Sequence, residues 1–151
     1  MATAGEVKRI VGEQMLNLFE SYEATDEGTF VVEVGSSAAF IDVVDGFGED
    51  QTVILVEAPV LIGAKVTPAL FKWIATEGQD FLLGAMSVDV DEEGDGKTGI
   101  VRFRSNIIGD DVDPSELKAA IFTVLGVADR FDSLLQKKFG GKRYIDLSDA
   151  P

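Results

Sequence analysis

The chain has 151 residues, 13 of them Lys or Arg and 27 Asp or Glu, so its formal net charge is −14, and it contains no histidine and no cysteine. Those two absences exclude a Ser-His-Asp or Cys-His triad, a zinc finger, thiolate chemistry and any disulfide. At 46% hydrophobic the chain is too apolar for a charged disordered tail, and its length fits one domain burying about 68–70% of its unfolded surface.

The opening residues, Met1-Ala2-Thr3-Ala4-Gly5-Glu6, lack the basic region and apolar run of a signal peptide. From Glu6 to about Tyr22, apolar residues recur at helical spacing (Val7, Ile10, Val11, Met15, Leu18, Phe19, Tyr22), which predicts an amphipathic helix. Acidic and small residues from Glu23 to Gly28 end it. Three strand-like runs follow. Thr29–Val34 is rich in β-branched residues and turns at Gly35-Ser36-Ser37. Ala38–Val44 comes next, closed by the polar segment 45–50. Gln51–Ile62 is the third, and its two side-chain directions are both apolar, the pattern of a central strand covered on both faces.

Thr67-Pro68 is a helix start, Thr serving as N-cap and Pro as first residue. The helix carries Leu70, Phe71, Trp73 and Ile74 and stops near Gly78. Two more strands, Phe81–Val90 and Thr98–Ile107, form a second hairpin around the polar loop 91–97. Asp113-Pro114-Ser115-Glu116 opens the last helix, whose buried stripe is Leu117, Ile121, Val124, Ala128, Phe131 and Leu135, with Gly140-Gly141 as the stop. Unbroken, it would run about 39 Å, and a bend is expected near Gly126. The order α-β-β-β-α-β-β-α predicts an α+β domain over residues 1–141: a five-stranded, mainly antiparallel sheet with helices gathered on one face. Residues 142–151 read as a loose tail.

Several clusters invite a chemical reading. Asp89 to Gly96 places acids at the first, third and fifth positions of a calcium loop, but the twelfth is Ile100 and the flanks are strands. A solvated hairpin loop is preferred. Gly94-Asp95-Gly96-Lys97-Thr98 resembles the end of a phosphate-binding loop, yet the required first glycine is Asp91 and a strand follows. That reading fails. The acids of Gly109-Asp110-Asp111-Val112-Asp113 are better explained by the helix N-terminus that they precede than by metal or paired acid–base work. Arg102 and Arg104 share one strand face, where they either pair with local carboxylates or form an anion or peptide-carboxylate site. The Trp73 helix has so few charges that it is either core filler or an oligomer interface made of Leu70, Phe71, Trp73 and Ile74.

The sheet faces carry the sharpest argument. Three helices cover one face, yet the second and third strands are apolar in both directions. Phe40 and Val44 oppose Ala39, Ile41 and Val43, and Val53 and Leu55 oppose Ile54 and Val56. The second face therefore either meets a partner or is wrapped by the long C-terminal helix or a loop. Phe40, Val44, Val53, Leu55, Arg102 and Arg104 are the expected peptide-binding residues.

The element order, the acidic composition and the segment Ala128-Asp129-Arg130-Phe131-Asp132-Ser133-Leu134-Leu135-Gln136-Lys137-Lys138-Phe139-Gly140-Gly141 resemble the YbjN-like, type III secretion chaperone-like group, in particular the actinobacterial peptide-binding-chaperone-like domains. The resemblance implies a non-enzymatic domain, often dimeric, that holds extended polypeptide on an apolar surface. In the secretion chaperones the central helix and an adjacent strand help form the dimer, which would map onto the Thr67–Gly78 helix and the strand beginning at Phe81. The expected protein is thus a cytoplasmic homodimer that binds a client peptide or partner segment, with no catalytic residues, metal or cofactor. The rival is a carboxylate-based metal-binding or enzymatic domain built on Asp89–Asp95 and Asp110–Asp113, or a structural subunit of a larger assembly.

Overall fold

In the computed structural model, residues 3–46, 48 and 51–148 are described. Thr3 caps helix α1 (Ala4–Leu18). Its hydroxyl accepts from the Glu6 N–H at 3.2 Å, and the Glu6 carboxylate accepts from the Thr3 N–H at 3.2 Å, a reciprocal arrangement that satisfies two free donors. The helix ends at Leu18, a turn earlier than its periodicity predicts, because Phe19 is already extended. Strands β1 (Glu23–Ala24), β2 (Phe30–Val34), β3 (Ser37–Asp45) and β4 (Thr52–Lys65) follow, then helix α2 (Pro68–Ala75), a 3₁₀ turn at Glu77–Gln79, and strands β5 (Ala85–Val90), β6 (Thr98–Arg104) and β7 (Ile107–Ile108). Helix α3 (Pro114–Phe139) runs unbroken past Gly126, and a short helix α4 (Tyr144–Ser148) closes the described chain.

The strands make one antiparallel sheet of seven, in the order β1-β2-β3-β4-β6-β5, with β7 also paired to β4. The two strands beyond the expected five are two-residue pieces. β1 lies in the segment expected only to end the first helix. β7 is the far end of the expected last strand, cut off at Ser105–Asn106, where Val56 bonds both residues. The expected strand at Phe81 begins only at Ala85. Ala85 already pairs Arg104, the last residue of β6, so the segment before it has no β6 residue left to pair with.

Helices α1 and α3 cover one face, here called inner. Val7, Val11 and Met15 of α1 and Leu117, Ile121, Val124, Ala128 and Leu135 of α3 are buried against Ile41, Ile54, Val56, Val101 and Phe103. A register shift in β4 puts Val60 and Leu61 into the core one after the other and lets the alternation resume at Ile62. Helix α2 starts as predicted, the Thr67 hydroxyl accepting from the Leu70 N–H. Leu70 and Ile74, read as either core filler or candidate interface residues, face inward and are buried in the chain's own core, because a short helix laid on the sheet end must spend one stripe there. Phe71 is exposed, and Trp73 is half-buried against Phe131. The expected loose tail is also corrected. Residues 142–148 are bonded to the sheet and include α4, which lies on the outer face, so the helices are not all on one side, while residues 149–151 of the expected tail lie outside the described residues.

A half-covered sheet face as candidate functional site

Strand pairing puts facing residues on the same side of a sheet. Val44 opposes Val53, Phe40 opposes Glu57, Glu57 opposes Arg104, Pro59 opposes Arg102, and Arg102 opposes Ser87. Because side chains alternate along each strand, the six expected binding residues (Phe40, Val44, Val53, Leu55, Arg102 and Arg104) all fall on the outer face. Five are half-buried and Arg104 is exposed. Val44 and Val53 lie at one end beside the exposed Ile108 of β7, which opposes Val53. Phe40 and the arginines lie toward the other end.

The arginines are engaged with acids on neighbouring strands. Arg104 Nε donates to Glu57 Oε2 at 2.9 Å, Arg102 pairs with Asp89, and weaker contacts (Arg104 to Asp89 at 3.7 Å, Arg102 to Glu57 at 4.0 Å) close a network across β4, β6 and β5. Local pairing is therefore the arrangement found, and such half-exposed pairs add little stability. The Ser87 hydroxyl, facing Arg102 across the ladder, is buried without a hydrogen-bond partner among the described residues.

At its other end the face is roofed by α4. The Tyr144 ring meets Phe40 edge to face at 6.2 Å, and its hydroxyl donates to Glu33 Oε1 at 2.8 Å. Burial, this hydrogen bond and the negative charges of Glu33 and Glu23 push the Tyr144 hydroxyl up to about 12. Two cavities flank α4. One, of about 330 Å³, is lined by Glu33, Gly35, Ser37, Tyr144, Ile145 and Leu147. The other, of about 270 Å³, is lined by Phe40, Glu57, Pro59, Ile62, Ile100, Arg102, Tyr144 and Leu147. Chemically, this is a mostly apolar trough with a rim of paired charges, suited to hydrophobic side chains of an extended or short helical segment.

Tyr144, Leu147, Ile62 and Ile100 are absent from the sequence-based site. Tyr144 and Leu147 are three residues apart after a glycine stop, a short amphipathic signal that a five-residue helix barely displays. The acidic clusters have other employment. Asp91 accepts from the Gly94 N–H and Asp95 from the Lys97 N–H, closing the β5–β6 turn, while Asp89 pairs with the arginines. Asp110 accepts from the Thr52 hydroxyl. Asp113 caps α3 through Ser115, whose hydroxyl and N–H hold its carboxyl below the ordinary value. No group of three or more acidic side chains converges on one point among the described residues.

A two-layer α+β domain with one sealed sheet face and one half-open apolar face is the class defined here. The family model described as T3SS (YopN, CesT) and YbjN peptide-binding chaperone 1 matches residues 5–147, and the chain belongs to that family. Among solved structures, a chain of the crystal structure of the ExsC–ExsE complex is similar over 89% of this chain and 97% of its own, at 17% identity and a TM-score of 0.59. At that identity the likeness is one of fold. A comparison with curated proteins finds no match.

Proposed function

We propose that this protein is a non-enzymatic, cytoplasmic, chaperone-like domain that binds a client peptide or partner segment on the outer face of its sheet and acts as a homodimer. The observation that carries the reading is the apolar trough on that face, in a chain of a peptide-binding chaperone family. Phe40, Val44, Val53 and Leu55 supply apolar contact, and Arg102, Arg104, Glu57 and Asp89 form a polar rim that orders a bound backbone. Net charge of −14 keeps the complex dispersed and favours basic clients over nucleic acid or anionic membrane. No helix among the described residues is long and apolar enough to cross a membrane.

Self-association is assigned to the α2–β5 end. β5 terminates the strand order, and a terminal strand is a template for pairing, with the Met86 carbonyl already accepting from the Gln79 side chain at 2.9 Å. Exposed Phe71 on α2, and exposed Leu82 and Leu83 just before β5, give apolar surface there. Sedimentation should report a dimer, with Phe71→Asp plus Leu82→Asp reducing it to a monomer of unchanged fold. A wild-type monomer would remove the dimer from the proposal. Client binding is tested on an array of short peptides of varied composition. Phe40→Asp and Leu55→Asp should each abolish capture without altering the circular dichroism spectrum, and undiminished capture would move the site elsewhere.

A further inference from the structure

The segment 142–148 sits in the proposed binding trough in the manner of a ligand. β3 pairs β4 only as far as Phe40 opposite Glu57, and β4 continues beyond. Lys142 takes the vacated edge, exchanging two backbone hydrogen bonds of 2.8 Å with Ile62. Gly140 and Gly141, both at positive φ, turn the chain out of α3. A Cβ on Gly141 would lie 2.8 Å from the Ile62 carbonyl oxygen, so the turn admits only glycine. Past Lys142 the chain crosses onto the outer face, where the Ile145 N–H donates to the Ser36 carbonyl at 3.1 Å and Tyr144 engages Phe40 and Glu33. Tyr144 and Leu147 line both flanking cavities, so α4 is the partition that divides one longer trough in two.

The segment's side-chain ties to α3 are polar and not fully buried, Gln136 donating to Asp146 at 3.0 Å and Arg143 to the Ser133 hydroxyl at 3.3 Å. A five-residue helix has no stability of its own; isolated helices below about 12–15 residues are marginal in water. From Lys142 to Leu147 no residue is buried, and Ile145 and Leu147 are exposed. Elements with few buried contacts belong to the low-stability end of a fold. Resting on the proposed function, we infer that residues 142–148 are a displaceable strap that competes with client peptides for the outer-face trough. The strap also shows what a client must bring: a short helical turn with an aromatic residue carrying a hydrogen-bond donor, followed three residues later by an aliphatic one, in place of Tyr144 and Leu147.

The test uses the full chain and a labelled peptide of its own residues 142–148, with binding read by fluorescence anisotropy. Tyr144→Ala plus Leu147→Ala in the full chain should empty the trough and raise affinity for the peptide by about tenfold or more over the unmodified chain, as expected when a competitor leaves only a minor fraction of sites open. Phe40→Asp added to that variant should abolish the gain. In the unmodified chain, the Lys142 and Ile145 amides should exchange hydrogen by local opening, at least about tenfold faster than those of Ile41 and Val56. Equal peptide affinity with and without the strap substitutions, or strap amides that exchange only with global unfolding, would overturn the inference while leaving client capture on the peptide array intact. If neither the array nor the strap peptide is bound by any folded variant, the proposed function falls and the strap with it. A shift from dimer to monomer in the strap variant would instead give the segment to a second copy, and would equally overturn it.

Discussion

The inner and outer faces of this sheet alternate along the same strands and both carry large apolar side chains, but the outer face also carries Asp42, Glu57, Asp89, Arg102 and Arg104, and the two have different fates. Ile54 and Leu55 are neighbours in β4. Ile54 is fully buried under the helices, while Leu55 is half-buried on the face that α4 reaches only at one end. Phe103 and Arg102 divide in the same way in β6. Phe103 packs on Phe81 at 5.0 Å inside the core, and Arg102 lies in the ion network outside. The difference teaches that apolar character alone does not mark stability residues. What separates a core position from a half-buried one is whether the chain has a helix to spare for it.

Neighbouring substitutions should expose this division. Phe103→Ala should cost about 3–5 kcal/mol in denaturant unfolding, since it leaves a cavity among fixed neighbours, whereas Arg102→Ala should cost about 1 kcal/mol or less. Comparable losses at the two sites would mean that the outer face is as structural as the inner. In β4, Ile54→Ala should lose about 2–5 kcal/mol, and Leu55→Ala about 1 kcal/mol or less because solvent fills the space it leaves. The ranking should invert for peptide capture, where Leu55→Ala is the damaging change.

Smaller effects sharpen the same contrast. Asp113→Ala removes the N-cap of the helix that seals the inner face and should cost about 1 kcal/mol, read as a lower midpoint of unfolding without loss of peptide binding. Gly126 lies in the exposed stripe of α3, where a Cβ would meet nothing within 4 Å. Gly126→Ala should therefore stabilise by about 0.5–1 kcal/mol, with binding unchanged. A loss at this site would show that the added methyl group disturbs the helix or its surroundings.

The smallest effect concerns the strap and pH. The Tyr144 hydroxyl is raised from 10.0 to about 12, so the neutral ring is favoured in the folded chain. Its contribution is fully present below pH 10 and is lost as pH rises through about 12. Asp146 behaves in the opposite sense. Its hydrogen bonds from Arg143 and Gln136 hold the carboxyl far below its ordinary 3.8, so that contribution is present above pH 3.8 and lost only in strong acid. An ultraviolet tyrosinate titration should contain a component with its midpoint near pH 12 that is missing in Tyr144→Phe. Its absence from the wild type would place the ring in open water rather than against Phe40.

Much of this was legible beforehand. Strand alternation has a period of two, so once Phe40, Val44, Val53 and Leu55 are assigned to strands their common face follows. The caps at Thr67 and Asp113 are local chemistry, and both appear where the residues predict. Helix α2 was harder. Leu70, Phe71, Trp73 and Ile74 are apolar nearly all round, and periodicity cannot tell which stripe meets the sheet. Packing buried Leu70 and Ile74 and left Phe71 outside. The tail was illegible because five residues from Tyr144 to Ser148 carry too little periodicity to declare a helix. Their structure is imposed by the bare edge of β4 beyond Phe40 and by Glu33, more than a hundred positions away in sequence.

By itself, then, the order of residues determined the type of the longer elements, the α+β class, the exclusion of histidine and thiol chemistry, and the excess of apolar β-surface, since each depends on composition or on contacts within a few positions. Only tertiary structure decided which face α1 and α3 would cover, that β4 would outrun its neighbour, and that the chain's last described turn would settle on the face left over. Those outcomes depend on contacts between distant segments, whose energies no local pattern encodes.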